Sequence, residues 1–515
     1  MIKKIISIFA LIIILLLLYG YFSNKGWITF SDSAKLSDVS RNLLRNKSLT
    51  SDYSNYVISL TETNTITNVS KWIPPVAPII IAGFFKLFGV SDISVIIFSS
   101  FFFILSAIML FLISRKIFGE FTGYLTVLAF VFNLNFLDYA TSGASEVLLL
   151  FEIFLIGYLF LLKQKRASLI GFIVLIILYF TKAQSIIYMF SLVLLFLLIN
   201  FPYRKALSYF GVIFAIGGVL FLLFSKQGIF AVTQHMPGMA VSDSLRGGLL
   251  DINLINIVKK VFYNLYNFYR LMPQIMSPYL WALFLVGLFG WCKNERENAF
   301  KISVVFMVIL TFFVTALTIP FFRYIHPVVP FVYIIAVATL VRIIEKISNI
   351  EKKQVVAVVS AFLVFTFAVA QTLGVIFLDS RFEKKIKNFG KPPIYAKLSW
   401  LLRDSTDKDS LIITNLDTWG SWYGERKTVW FPLKPNMLIN PQSGEIPFDA
   451  IYLTNYLMDD ENYYMGAEWR DVFLNPQSHN QKVISDNFNF AGNFSISASE
   501  NYENMEGRAV LFLKK

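Results

Sequence analysis

Residues 92–113 read DISVIIFSSFFFILSAIMLFLI, and no charged residue falls between Asp92 and Arg115. About 20 apolar residues, at roughly 1.5 Å of helical rise each, cross a hydrocarbon core of about 30 Å. This stretch therefore predicts a transmembrane helix. Similar stretches recur outward from it, near 4–22, 121–137, 146–162, 167–181, 184–200, 206–224, 276–292, 302–319, 327–342 and 355–378. The expected fold is an α-helical polytopic membrane protein of about 11 spans. Composition agrees: the 515 residues are 56% hydrophobic and 15% charged, with mean hydropathy +0.61. Soluble domains carry about a quarter charged residues, so a soluble enzyme is excluded.

The net charge of +13 invites a nucleic-acid reading until its location is considered. With the amino terminus cytoplasmic, the inner connections hold about 16 Lys and Arg, as the positive-inside bias requires. The short outer turns hold only Lys182 and Arg323 as basic residues. The charge thus reports topology, and nucleic acid is not expected as a partner. Lys3 and Lys4 precede the first apolar stretch, but no small-x-small cleavage site follows it, so it reads as an anchor and not a signal peptide. The expected location is the plasma membrane, multi-pass, with the carboxyl terminus outside.

Two domains are expected: a transmembrane catalytic domain over 1–378, with outer loops at 23–91 and 225–275, and an extracytoplasmic α/β domain over 379–515. In the first loop, Leu36, Val39, Leu43 and Leu44 recur at helical spacing, which predicts an amphipathic surface helix. Ile79 to Phe88 is apolar but too short to span, so it reads as interfacial, as does the amphipathic stretch Asn256 to Pro273. In the tail, short strands are expected at 410–414, 427–431, 449–453 and 508–513, after a helix over 395–403. The tail's Asn415-Leu-Asp-Thr-Trp-Gly-Ser-Trp-Tyr-Gly-Glu is aromatic and polar enough to bind sugar, and equally suits a buried core.

One cysteine, Cys292, and three scattered histidines, His235, His326 and His479, argue against disulfide and histidine-metal chemistry. The remaining chemistry lies in outer-face ionisable groups. Asp32 follows the first span; Asp138 and Glu146 bracket the turn after the third; Lys182 sits in the next outer turn; Arg323, in Arg-Tyr-Ile-His-Pro-Val-Val-Pro, heads a proline-bent helix start. Each has a plain alternative: helix-terminal carboxylates favoured by the macrodipole for the acids, snorkelling for the lysine. Glu152, deeper in its span, receives no role. Carboxylates with cations at the outer leaflet suit group transfer from a membrane-anchored phosphate. A carboxylate serves as base for the incoming hydroxyl or amine, and the cations stabilise charge on the departing phosphate.

Four motifs carry a resemblance. They are Phe30-Ser-Asp-Ser-Ala-Lys-Leu-Ser-Asp-Val-Ser-Arg-Asn-Leu-Leu; Trp72-Ile-Pro-Pro-Val-Ala-Pro with Phe84-Phe-Lys-Leu-Phe-Gly; Tyr139-Ala-Thr-Ser-Gly-Ala-Ser-Glu; and Arg323-Tyr-Ile-His-Pro-Val-Val-Pro. In order and spacing over roughly residues 1–345 they resemble the GT-C superfamily of polyprenyl-phosphate-sugar glycosyltransferases, family-39-type, which includes protein O-mannosyltransferases and the lipid A aminoarabinose transferase. The resemblance implies a GT-C-like fold and inverting transfer of one sugar to a lipid, glycan or protein acceptor outside the cytoplasm. It implies Asp32 as general base and Glu146, or Asp138, as the second acid. It also implies Lys182 and Arg323 on the donor phosphate, with Tyr324 and His326 close by and Lys71 as a weaker match.

Departures are visible: Ser33 stands where many members have Glu, Leu36 replaces the usual Tyr, and a metal-binding Asp-x-Asp is absent. No obligatory metal is therefore inferred, and a divalent ion held by carboxylates stays open. Two other classes remain: a lipid-glycan transporter or flippase, which expects charge at mid-membrane depth, and a non-catalytic envelope scaffold.

Overall fold

The computed structural model describes residues 12–20, 26–54, 74–224, 254–290, 294–348, 353–378, 392–440, 443–456, 458, 465–496 and 506–515. The chain divides into two compact units. The first contains, among the described residues, 12–20, 98–224 and 254–378. The second gathers, among the described residues, those of 26–54, 74–97 and 392–515, so the segment read as the first outer loop shares a unit with the tail, whereas the sequence reading divided the chain at 379.

The first unit is helical. Among the described residues, three helices are long and apolar enough to cross a membrane: Asp92–Phe118, Glu295–Leu317 and Phe322–Lys346. A fourth is counted if Glu120–Val131 and Leu134–Thr141 form one broken span, bent by 68°. Shorter apolar helices include Ile186–Asn200 and Pro278–Leu288. The stretch read as one span over 121–137 is therefore kinked. Asn133 explains the break: its side chain accepts from the Asn135 N–H (3.0 Å), capping the second helix, and donates to the Tyr333 hydroxyl (3.0 Å). A capping amide satisfies the backbone groups that a bend frees.

Helix Glu146–Leu161 is buried nearly all round. Its Phe154 meets Phe331 edge-on at 5.2 Å, while Phe103 stacks on Phe130 at 4.9 Å and Phe130 meets Phe136 tilted at 4.8 Å. Helix Lys165–Thr181 lies close against it because Gly171 carries no side chain; a Cβ there would meet the Phe160 ring at 2.6 Å. At one end, buried Glu297 accepts both arms of the Arg342 guanidinium (2.6 and 2.7 Å) and faces Lys301 at 3.0 Å. A buried carboxylate among apolar helices requires such pairing.

The second unit is built on a six-stranded sheet, β1 (Tyr53–Ser54), β2 (Leu411–Thr414), β3 (Lys427–Trp430), β4 (Ala450–Thr454), β5 (Phe488–Ile496) and β6 (Gly507–Lys514), in the order β1-β3-β2-β4-β6-β5. The first four are parallel; β6 pairs antiparallel with β4 and β5. Period-two alternation separates two apolar faces. Ile412, Tyr452 and Leu511 pack under helix Ile394–Ser405 through Ile394, Leu398 and Leu402. Ile413, Val429, Ile451 and Leu453 face Trp469, Val472 and Phe512. The four strands read from sequence coincide with β2, β3, β4 and β6, and the expected helix with Ile394–Ser405. β5 and β1 went unread. β1 comes from the segment read as the first outer loop, with Tyr53 opposite Thr428 and Ser54 opposite Val429.

Helix Ser31–Asn46, the amphipathic segment, buries Leu36 and Val39 in this unit. Its Arg41 is buried, donating to the carbonyls of Trp422 (3.0 Å) and Ser421 (2.8 Å) and to Asp38 (2.6 Å). Asp38 also accepts from Ser51 Oγ and the Asp52 N–H, each at 2.7 Å. Helix Val76–Phe88 packs beside it: Ser40 Oγ donates to the Pro78 carbonyl at 3.0 Å, and Phe85 stacks on Trp422.

Candidate active site

In the helical unit, Glu146 occupies the first turn of its helix, where the macrodipole favours a carboxylate. Lys182 ends helix Lys165–Thr181 in extended conformation, which turns its side chain out of the helical row. The two meet: Lys182 Nζ lies 2.6 Å from Glu146 Oε1, with both side chains largely buried. One residue earlier, Thr181 Oγ1 donates to Glu152 Oε1 at 2.9 Å, so the deep carboxylate is held by a hydroxyl.

Asp138, buried, accepts from the Tyr19 hydroxyl at 3.4 Å. His326 has both ring nitrogens engaged: Nε2 faces the Gln274 carbonyl at 3.2 Å and Nδ1 faces the Tyr139 hydroxyl at 2.5 Å. A carbonyl only accepts, so Nε2 carries the proton and Tyr139 donates to Nδ1. Arg323 sets its guanidinium over the rings of Phe321 and Tyr324, each at 5.3 Å. Tyr188 donates to the Tyr324 carbonyl at 2.7 Å, fixing the turn that carries Arg323. Two short 3-10 turns, Phe322–Tyr324 and His326–Val328, form that segment, as expected before Pro327 and Pro330. Lys71 lies outside the described residues.

Asp32 belongs to the other unit, half-buried in the first turn of helix Ser31–Asn46. Three residues on, Lys35 returns to the same face and reaches over the Tyr53 ring at 5.4 Å. Asp417, in left-handed conformation (φ 55°) just after β2, is buried beside them. Ser31 and Tyr53 hydrogen-bond its carboxylate, and Thr418 Oγ1 donates to the Ser31 carbonyl at 2.6 Å. Burial pushes the Lys35 ammonium below its ordinary value, opposed by the charges of Asp32, Asp417 and Asp38. Burial raises the Asp417 carboxyl and Asp32 raises it further, against the Ser31 hydrogen bond, Lys35 and Tyr53. Sequence reasoning missed Lys35 and Asp417 as neighbours of Asp32. The i, i+3 spacing signalled the first; nothing local signalled the second.

Among the described residues no group of three or more His, Cys, Asp or Glu gathers that could hold a metal ion.

Residues 73–230 match the family model described as dolichyl-phosphate-mannose-protein mannosyltransferase. The fold is similar to that of ArnT from Cupriavidus metallidurans bound to undecaprenyl phosphate, with TM-score 0.51 and 12% identity over 99% of this chain and 98% of that one. It is also similar to the archaeal oligosaccharyltransferase AglB from Archaeoglobus fulgidus, in complex with an inhibitory peptide and a dolichol-phosphate, with TM-score 0.53 and 12% identity over 87% of this chain and 70% of that one. A comparison with curated protein sequences gives no match. The resemblance drawn from the four motifs holds: the chain has the fold of the GT-C glycosyltransferases that act on polyprenyl-phosphate sugars.

Proposed function

We propose that this protein is an integral-membrane glycosyltransferase that moves a single sugar from a polyprenyl-phosphate donor to an extracytoplasmic lipid, glycan or protein acceptor, with inversion. The supporting observation is the half-buried Asp32 at a helix start, within electrostatic reach of Lys35 and Asp417, in a chain whose residues 73–230 match a mannosyltransferase model. The proposal carries the sequence-read topology with it: about eleven spans, a cytoplasmic amino terminus and the 379–515 domain outside.

In this reading Asp32 takes the proton from the acceptor hydroxyl or amine as that atom attacks the anomeric carbon. The bond from that carbon to the phosphate oxygen breaks, and its electron pair leaves with the polyprenyl phosphate. Phosphate is stable as an anion, so no general acid is needed. Lys182 and Arg323 stabilise the developing phosphate charge, with Glu146 orienting the Lys182 ammonium through their 2.6 Å contact. His326, fixed by Tyr139 and Gln274, positions the Arg323-Tyr324 turn. Asp138 and Lys71 stay in the proposal as alternative second acid and additional phosphate ligand.

The flippase reading expects charged or polar residues lining a path at mid-depth, whereas Glu146 and Glu297 are engaged by lysine and arginine and Glu152 by a threonine hydroxyl. The test is release of polyprenyl phosphate from radiolabelled polyprenyl-phosphate hexoses by purified protein supplied with candidate acceptors. Wild type is expected to release it and Asp32→Asn is not. Equal release by both, with the variant folded, rejects Asp32 as base.

A further inference from the structure

Glu152 received no role from the sequence, and the proposed transfer does not use it. It is a buried carboxyl at the end of the second turn of helix Glu146–Leu161, with Leu148, Leu149, Leu150 and Ile153 buried around it. A carboxyl among apolar side chains is destabilising where its hydrogen bonds are few, and a leucine there would avoid the penalty. The acid therefore has a reason other than packing. Its Oε1 accepts from Thr181 Oγ1 at 2.9 Å, and its Oε2 is buried with no hydrogen-bond partner among the described residues.

Thr181 is the last residue of helix Lys165–Thr181, and its hydroxyl also lies 3.2 Å from the Ile177 carbonyl of its own helix. Lys182 comes next, with its backbone extended (φ −158°, ψ 129°). Its N–H donates to the Leu178 carbonyl at 3.3 Å, and its carbonyl accepts from the Ser185 N–H at 2.9 Å. The ammonium then meets Glu146 Oε1 at 2.6 Å. Glu146 and Glu152 stand six residues apart on one helix, about 9 Å along its axis, and they hold consecutive residues of the other. The far end of the helix pair has its own fixture, where Gly171 leaves room for the Phe160 ring. The two helices are thus pinned near both ends, and the pin at Thr181 is the one that adjoins Lys182.

We propose that Thr181 and Glu152 are positioning residues for the transfer reaction: their hydrogen bond fixes the end of helix Lys165–Thr181 on helix Glu146–Leu161, so that Lys182 leaves the helix opposite Glu146 and presents its ammonium to the donor phosphate. The proposal rests on the assignment of Lys182 to that phosphate. Lysine is a point charge on a flexible stem, and a stem whose root is fixed loses less freedom when the ammonium is captured. Glu152 contributes an acceptor and not a charge; a carboxamide oxygen in its place also accepts the threonine proton.

Thr181→Val keeps the branched shape and removes the hydroxyl, and Glu152→Leu removes the acceptor. Each should raise the donor KM about fivefold, the size of a single hydrogen bond, with kcat changed by less than about twofold. Thr181→Ser and Glu152→Gln retain donor and acceptor, and should restore KM to within about twofold of wild type.

A second measurement needs no turnover: equilibrium binding of radiolabelled farnesyl phosphate, as the polyprenyl-phosphate probe, to the full-length protein in detergent. Thr181→Val and Lys182→Gln should each weaken binding, and the double variant should bind no more weakly than Lys182→Gln alone, because the threonine acts through the lysine. Monodisperse protein with a wild-type melting profile qualifies each variant; if Glu152→Leu aggregates, Thr181→Val and Thr181→Ser carry the comparison. Thr181→Val that binds and turns over like wild type overturns the proposal and leaves the Lys182 assignment untouched. So does a double variant weakened by the full product of the two single effects, since the loss then bypasses Lys182. Glu152→Gln that loses as much as Glu152→Leu overturns it as well, by showing that the charge is what counts. Folded Lys182→Gln that binds farnesyl phosphate like wild type rejects the phosphate assignment, and this inference with it.

Discussion

The two units treat buried carboxylates differently. Among the described residues of the helical unit, Glu146 is matched to Lys182 and Glu297 to Arg342 and Lys301, while Glu152 takes a threonine hydroxyl and Asp138 a tyrosine hydroxyl. In the sheet unit, Asp38 is matched in the same way to Arg41, and the charges of Asp32 and Asp417 both act on Lys35. Apolar helices have no solvent to screen a surplus charge, so neutral pairs are the affordable solution there. A base must be ionised to take a proton, and the half-buried Asp32 at the start of Ser31–Asn46 is the carboxylate proposed for that role. In the proposed reaction the two candidate acids are therefore unequal: Glu146 would orient a cation, and Asp32 would accept the proton.

The largest expected effect tests that inequality. Asp32→Asn should lower the transfer rate about a thousandfold, whereas Glu146→Gln should act mainly on the donor KM, with a smaller loss in kcat. Comparable kcat losses for the two would erase the distinction.

Next in size are the matched pairs themselves. Asp38→Asn removes the charge that Arg41, Ser51 and the Asp52 N–H converge on, and should cost about 3 kcal/mol of stability. Glu297→Gln should cost about 2 kcal/mol, because Arg342 is partly exposed and can turn to water. Thermal melts in detergent would read both, and an unchanged Tm for Asp38→Asn would show that the sheet unit does not depend on its pairing. Tyr139→Phe, which takes the donor from His326 Nδ1, should cost about 1 kcal/mol.

The smallest expected effect has a pH signature. Asp417 has its carboxyl raised in the folded protein, first by burial and then by Asp32. Stability is therefore complete below the unfolded carboxyl value and falls as pH rises through the folded one. Asp417→Asn should melt slightly higher than wild type at neutral pH, with the gap closing in acid. Asn also tolerates the left-handed backbone at this position. A gap that persists unchanged in acid would locate the effect in backbone conformation and not in charge.

Much of this was legible along the chain. Uncharged runs announced helices, the scarcity of basic residues in outer turns singled out Lys182 and Arg323, and alternation marked β2, β3, β4 and β6. What stayed hidden depends on distant partners. The kink at Asn133 needs Tyr333, two hundred residues away. Arg41 reads as an exposed helix residue until the carbonyls of Ser421 and Trp422 meet it. β1 is only two residues long and has no pattern of its own; its partner β3 defines it. Asp417 sat in a segment read for its aromatics, and its bearing on Asp32 comes only from the chain closing on itself.

β1 also has a consequence for synthesis. Tyr53 and Ser54 leave the ribosome long before Thr428 and Val429, and closing a loop of that length is slow and entropically unrewarded until the later strands exist. Throughout that interval the Ser31–Asn46 helix has neither the carbonyls that satisfy Arg41 nor the carboxylate of Asp417. The proposed base is thus assembled last, only after nearly the whole polypeptide has been made. Its maturation is timed by strand pairing, and a chain halted before residue 427 would carry the Asp32 motif without the surroundings that complete it.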